Sequence, residues 1–150
     1  MCIRDSGNPV PDGAAFNRSE IDDAAEAAGV TIGKGDIVLF HTGKMKATEN
    51  DATLAPTQPG LGKEGAGYLA SLGVVAVGAD TWALEVIPFE EETEIFPVHP
   101  ILLADHGVYI LENMVTHELA EDGVTEFFFS LGVPKMEGTV QAIINPVAIR

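Results

Sequence analysis

The sequence predicts a single α/β domain, with a mixed sheet and flanking helices, on three observations. Two compact apolar runs, "IVLFHTG" at 37–43 and "GVVAVGAD" at 73–80, have the length and the branched residues of buried strands. A helix-forming stretch lies between them, which makes a β-loop-α-β unit in which strand ends carry function. The chain of 150 residues is long enough for one domain with a hydrophobic core and too short for two.

The first elements follow from capping signals. Residues 1–16 are turn-rich and predict little regular structure, and the opening hexapeptide "MCIRDS" resembles a cloning or assembly scar. Ser19 is expected to start a helix over Glu20–Ala28, with Asp22 in the reciprocal capping position and Gly29 as the stop. We therefore place the domain at 17–150.

The middle of the chain alternates loops with short elements. Lys44–Gly60, which contains two prolines, is expected to be a long polar loop, and loops of this length are often functional. A helix over about Leu61–Leu72 should then lead into the second strand. Further along, a short helix at Pro100–Asp105 is expected to precede a strand at Val108–Glu112.

The last third is predicted to hold one helical turn and two strands. Thr116–Glu121 should form the turn, capped by Thr116 and closed near Gly123. The segments "TEFFFSLGV" at 125–133 and "TVQAIINPVAI" at 139–149 are the predicted strands. Strand residues such as Val74–Val77 and Phe127–Phe129 should be buried on both faces in a complete sheet.

Charge and composition exclude several classes of function. With 23 acidic residues, 8 basic residues and a net charge of −15, the chain should repel nucleic acids and anionic membranes. No apolar run approaches the length of a membrane span. The acidic run Glu90–Glu94 is expected to be a solvated loop. The single cysteine excludes an internal disulfide framework and favours a reducing compartment, by default the cytoplasm.

Chemistry-bearing motifs are scarce, and His99 with Glu112 is the most informative pair. No nucleophile elbow, Walker loop, dinucleotide fingerprint or paired-cysteine motif is present. His99 precedes Pro100, which should hold it extended at a strand-to-helix corner, and the following strand could return Glu112 to face it. A neutral imidazole and a carboxylate suit zinc or manganese. The alternative is a histidine packed at a corner and a glutamate paired with a lysine or a backbone amide.

Three further residues are candidates for substrate binding. Trp82 follows the strand end at Asp80, where a ligand crevice is expected, and its indole could stack on an aromatic substrate or cap the core. His41 ends the other strand and could line the same site. Asp80 could contact the site or hold a turn through bonds from its side chain to the backbone.

Four segments of the chain together resemble the C-terminal part of the cyclase family of metal-dependent hydrolases, which includes bacterial kynurenine formamidase (arylformamidase) and isatin hydrolase. These are "GDIVLFHTG", "PGLGKEGAGYLASLGVVAVGADTWALEVIP", "PVHPILLADHGVYILENM" and "EFFFSLGVPKMEGTVQAIINPVAI", and the likeness runs from about Ser19 to Ile149. The resemblance implies a swivelling β/β/α fold. It also implies hydrolysis of an amide bond in a small N-acyl aromatic or lactam substrate with a divalent metal, zinc or manganese, in a dimer or tetramer.

The same resemblance implies that His99 and Glu112 are two metal ligands. The family's leading signature, H-x-G-T-H-x-D-x-P-x-H, which supplies three earlier ligands and the catalytic histidine, has no match in this sequence. We therefore expect the 150 residues to be the C-terminal portion of a longer enzyme, with no catalytic residue of their own. A non-catalytic α/β module for oligomerisation or ligand binding is the alternative. If an N-terminal part that would cover the strands is missing, we expect exposed apolar strands and self-association.

Overall fold

A computed structural model describes residues 2–4, 9–48 and 57–150, with only the backbone described for 2–4. Within these ranges, helices and short strands alternate along the first two thirds of the chain, which confirms the α/β class. None of the described helices is long and apolar enough to cross a membrane. The elements are β1 (Cys2–Arg4), β2 (Ala15–Phe16), α1 (Arg18–Ala28), β3 (Ile37–His41), α2 (Lys44–Ala47), β4 (Gly60–Leu61), α3 (Lys63–Leu72), β5 (Ala76–Ala79), a π-helical segment (Pro100–Asp105), β6 (Tyr109–Leu111), α4 (His117–Glu121), β7 (Phe128–Ser130) and β8 (Val147–Ile149).

The central sheet has the strand order β1-β3-β5-β6, and every described pair in it is parallel. The prediction of a mixed sheet was wrong, because the antiparallel pair β7-β8 forms a separate two-stranded sheet. A third small sheet joins β2 to β4 in parallel. Two strands therefore lie within residues 1–16, where the sequence predicted little structure. A parallel sheet places the carboxyl ends of its strands along one edge.

Side chains from β3 point alternately to the two faces of the central sheet. Val38 and Phe40 belong to the larger core, which α1, α3 and the π-helical segment complete, and Phe40 stacks on Phe16 with ring centroids 5.1 Å apart. Leu39 belongs to a second cluster with Ala76, Leu111 and Met114. Both faces of the sheet are therefore covered, as near-continuous apolar parallel strands require.

Capping differs from the prediction at the first helix. Helix α1 begins at Arg18 with Asn17 as N-cap, and the Glu20 carboxylate accepts the Asn17 backbone N–H at 3.0 Å, so the Ser19/Asp22 box was wrong. The Asn17/Glu20 pair and the Ser19/Asp22 pair have the same capping spacing. A contact outside the helix favours Asn17, because its side chain also accepts the Gly65 N–H at 3.1 Å. Gly29 ends the helix in the left-handed conformation, as predicted.

The segment Lys44–Gly60 is only partly a loop. Its first residues form α2, its last begins β4, and residues 49–56 lie outside the described part of the chain. Helix α3 begins at Lys63 and not at Leu61, because Gly60 and Leu61 extend to pair with β2. The predicted terminal strands are likewise reduced to three residues each.

Exposure partly matches the expectation of uncovered strands. Val74, Ala76 and Val77 are buried, which leaves Val75 as the exposed member of that run. Phe128 on β7 is 68% exposed, whereas Phe127 and Phe129 pack against the second cluster. Exposed apolar side chains continue through the C-terminal segment at Val133, Met136, Val140, Ile143, Val147 and Ile149. Self-association through this segment stays a prediction.

The close approach of β5 to its neighbours gives a stability prediction. A Cβ at Gly78 would lie 2.8 Å from both Leu111 Cβ and Leu39 Cδ2. We expect Gly78→Ala to lower the free energy of unfolding by about 1–3 kcal/mol through overpacking. Gly67→Ala is the matched control, because it lies in α3 with open space around its Cα and should raise stability by about 0.5–1 kcal/mol. Urea denaturation measures both, and equal midpoints for the two variants would contradict this packing.

Candidate metal site

The site lies at the carboxyl edge of the parallel sheet. His41 is the last residue of β3, Asp80 follows β5, and Glu112 follows β6. Two backbone bonds tie the segment after β6 to that after β5: Asn113 N–H donates to Thr81 O and Met114 N–H to Ala79 O, both at 2.9 Å. The topology thus places a histidine and two carboxylates at three neighbouring strand ends, and their role in a functional crevice stays a prediction.

His99 reaches this edge from the loop between β5 and β6. Its backbone is helical, with φ −56° and ψ −52°, so the prediction of an extended residue before Pro100 was wrong. Proline disfavours but does not forbid this conformation, and here side-chain contacts of His99 hold the first turn. Leu102 and Val98 anchor that turn in the larger core. The π-helical segment then has the bounds predicted for a short helix, Pro100–Asp105.

The imidazole of His99 lies between two carboxylates. Its Nδ1 is hydrogen-bonded to Glu85 Oε1, and its Nε2 lies 3.4 Å from Glu112 Oε1. The predicted convergence of His99 and Glu112 is therefore present, whereas their role as metal ligands stays a prediction. Both side chains are about a quarter exposed, at 26% and 22%, so each is partly accessible to solvent.

The two carboxylates change the proton affinity of the imidazole. The contacts with Glu112 and then with Glu85 raise the pKa of His99 from 6.5 to about 9, against an opposing effect of burial. The two carboxylates thus favour a positive charge on the imidazole. A metal ion and a proton compete for an imidazole nitrogen, since a histidine ligand must be deprotonated.

The geometry of this pair fits two adjacent ligands of a divalent metal. Bonds of about 2.0–2.2 Å from zinc to nitrogen and oxygen separate neighbouring ligands of a tetrahedron by roughly 3.3–3.6 Å. The 3.4 Å between Nε2 and Oε1 lies within that range. Two ligands are fewer than a zinc site needs, and among the described residues no group of three or more His, Cys, Asp and Glu side chains is arranged to hold a metal.

His41 and Asp80 form a separate hydrogen-bonded group. Asp80 is buried and accepts from Thr42 N–H, Thr42 Oγ1 and Gly43 N–H at 2.7–2.9 Å, so it holds the turn after β3. His41 Nδ1 lies 2.8 Å from Thr116 Oγ1 and 3.7 Å from Asp80 Oδ2. Of the two roles open for Asp80, the geometry favours turn-holding over contact with substrate.

Trp82 belongs to an aromatic cluster that reaches His99. Its ring packs edge-on against Phe96 with centroids 6.2 Å apart, and Phe96 packs edge-on against both Phe89 and the His99 imidazole. Trp82 is 36% exposed, so part of its indole faces solvent. This position suits the predicted stacking on a substrate, which stays a prediction.

Similarity to known proteins identifies the family of the chain. The Cyclase family model matches residues 2–86, which is more than half of the chain. The chain belongs to the cyclase family. That matched range contains Glu85 but ends before His99 and Glu112, so the family assignment and the geometry of this pair are independent observations. Among curated proteins, none matches the chain.

A solved structure extends the likeness to nearly the whole length of this chain. The crystal structure of a novel cyclase shares 29% identity with a TM-score of 0.80, over 96% of this chain and 50% of its own. A potential metal-dependent hydrolase with cyclase activity shares 23% identity with a TM-score of 0.63, over 91% and 58%. Isatin hydrolase A from Ralstonia solanacearum shares 19% identity with a TM-score of 0.58, over 72% and 43%. The chain spans about half the length of these structures, and the last two show likeness of fold alone.

Glu85 was not predicted from the sequence as a residue of this site. It lies in "TWALEVIP", a stretch with no clear period, and it is 1% exposed. Its one local signal is a carboxylate between two large apolar residues, Leu84 and Val86, both buried. A lone carboxylate in such surroundings must be paired, but the sequence does not name the partner.

The raised pKa of His99 predicts how stability depends on pH. The folded state binds the His99 proton up to about pH 9 and the unfolded state up to about 6.5, so this stabilisation is complete below 6.5. It is lost as pH rises to 9, at up to roughly 1.4 kcal/mol per pH unit. We expect His99→Gln to remove this part of the slope, measured by urea denaturation of the metal-free chain, and the exposed His106→Gln to retain it. Parallel profiles for wild type and His99→Gln would show that His99 is not the titrating group.

Proposed function

We propose that this chain contributes to the metal centre of a cyclase-family hydrolase, with His99 and Glu112 as two of the metal ligands. The observation that carries the proposal is the 3.4 Å approach of His99 Nε2 to Glu112 Oε1 between two partly exposed side chains. The two residues come from separate segments, so their approach depends on the fold and not on their spacing in the sequence.

A divalent metal would supply a Lewis acid at this edge of the sheet, which polarises a substrate carbonyl. The chain's own residues supply the surroundings. Glu112 provides negative charge, His99 provides a neutral nitrogen once its proton leaves, and the Phe96 ring shields one side of the imidazole. These features suit zinc or manganese, whose sites combine imidazole and carboxylate.

The substrate in this proposal is a small aromatic amide or a lactam. A cavity of about 220 Å³ adjoins Glu112, and its walls include the apolar side chains of Leu39, Met114, Leu119 and Phe129. Asn113 and Asn145 add amide groups beside the carboxylate. Apolar walls with a few convergent polar groups are typical of small-molecule sites. Trp82, His41 and Asp80 do not line this cavity, so any contact of theirs with substrate would be made outside it.

The remaining metal ligands and a proton-transferring histidine would belong to the half of a cyclase chain that these residues do not span. This sequence contains no match to the family's leading histidine signature. We therefore propose a divided site, in which the chain holds the later ligands and a second region holds the earlier ones. The 150-residue chain alone should then bind metal weakly.

Metal titration tests the ligand assignment. We expect zinc binding by the chain, measured by calorimetry, to weaken at least about tenfold in His99→Ala and in Glu112→Gln, since a direct ligand contributes no less than the groups behind it. His106→Ala removes an exposed histidine elsewhere and should bind zinc as wild type does. Unchanged affinity in both site variants would contradict the assignment.

Activity provides a second test. The described residues bring together one ligand pair, and the sequence has no match to the family's general base. We therefore expect no turnover of N-formylkynurenine or other aryl amides in an absorbance assay at high protein concentration. Turnover that a chelator abolishes would show that a complete catalytic set exists within these residues.

A further inference from the structure

The least exposed part of the site is the carboxylate of Glu85, and no metal-ligand role is assigned to it. Glu85 is 1% exposed and lies in a segment paired with β4 through a bridge between Leu61 and Glu85. An ionised carboxylate in such a place is costly unless hydrogen bonds compensate for lost water. What Glu85 bonds to therefore indicates why it is there.

Both oxygens of this carboxylate are used by two consecutive residues. Oε1 is bonded to the imidazole Nδ1 of His99, and Oε2 accepts the backbone N–H of Val98 at 3.2 Å. The two bonds hold the first turn of the π-helical segment in place, one through the backbone of Val98 and one through the side chain of His99. Because neither oxygen faces solvent, Glu85 is poorly placed to be a metal ligand itself.

The bond to Nδ1 determines which nitrogen is left for a cation. An ionised carboxylate only accepts, so the hydrogen must be on Nδ1. The protonated imidazole carries its second hydrogen on Nε2, the nitrogen 3.4 Å from Glu112 Oε1, and this is the hydrogen that a cation would displace. Carboxylates behind metal-bound histidines fix the tautomer and the ring plane in this way.

The backbone that carries Glu85 is itself held in place. Gln58 is fully buried, donates from Nε2 to the Glu85 carbonyl at 2.8 Å and accepts the Trp82 N–H at 3.2 Å. Gly60 packs so closely that an added Cβ would lie 2.4 Å from the Leu84 carbonyl oxygen. Two independent contacts thus fix the backbone from which the Glu85 side chain extends. A buried acid without a positioning role would not need this support.

We infer that Glu85 is a positioning residue, which holds His99 in the Nδ1–H tautomer and presents Nε2 to the metal position beside Glu112. The inference rests on the proposed function for its metal, but the orientation of the ring is a property of the metal-free chain. Glu85 acts through His99 and is not a catalytic residue.

Nitrogen NMR of the histidine rings tests the inference with Glu85→Gln, Glu85→Ala and the surface control Glu92→Gln. In the metal-free wild type we expect a slowly exchanging proton on His99 Nδ1, lost in Glu85→Ala and kept in Glu92→Gln. When cadmium-113 is bound as the probe, scalar coupling should appear between the cadmium and Nε2 of His99. Glu85→Gln keeps the volume and an acceptor but loses the charge, and should weaken cadmium binding roughly 10–100-fold.

The outcomes separate this inference from the proposed function. Coupling of cadmium to Nδ1, or wild-type affinity and coupling in Glu85→Gln, would overturn the role of Glu85. Absence of coupling between cadmium and either His99 nitrogen in the wild type would overturn the metal assignment. In that case the exchange of the Nδ1 proton in the metal-free wild type and Glu85→Ala still decides whether Glu85 orients the ring. If Glu85→Ala fails to fold, two results decide the role of Glu85: the slow exchange of the Nδ1 proton in the metal-free wild type, and the weakened cadmium binding of Glu85→Gln. Fast exchange of that proton in the wild type would then overturn the inference.

Discussion

The hydrogen bond between Glu85 and His99 is the constraint on which the candidate site depends. A carboxylate with 1% exposure is stable only if the protein brings donors to it, and the donors here come from the start of the π-helical segment. That requirement fixes the direction in which His99 enters the site. It also explains why His99 is helical although a proline follows, because Val98 N–H and His99 Nδ1 must reach the same carboxylate.

The parallel sheet supplies the rest of the arrangement. Strands β3, β5 and β6 run in one direction, so the residues that end or follow them collect at one edge. Glu112 reaches His99 from this edge, whereas Asp80 turns inward and stabilises the turn after β3. Two carboxylates at neighbouring strand ends thus have different environments. Three protein donors enclose the carboxylate of Asp80, whereas that of Glu112 is partly exposed and lies beside an imidazole. The second is the one available to a cation.

Much of the fold could be predicted from local patterns, and the site only in part. The buried strands around Val38 and Val77, and the end of the first helix at Gly29, follow from apolar runs and the conformational freedom of glycine. The approach of Glu112 to His99 was predictable from a chain reversal between them. Glu85 was not predictable, because its partner lies fourteen residues away across an irregular loop. The N-cap at Asn17 was missed for the same reason, since a contact with Gly65 decides between two equally good local patterns.

The central claim is that a divalent metal binds between His99 and Glu112. Anomalous X-ray scattering from crystals of the chain grown with zinc measures this most directly, because it locates the metal without any assumption about its ligands. The account predicts a peak within about 2.0–2.2 Å of both His99 Nε2 and a Glu112 oxygen, with Glu85 still bonded to Nδ1. A peak elsewhere, for example on the acidic run at 90–94, with the gap between His99 and Glu112 empty, would contradict it.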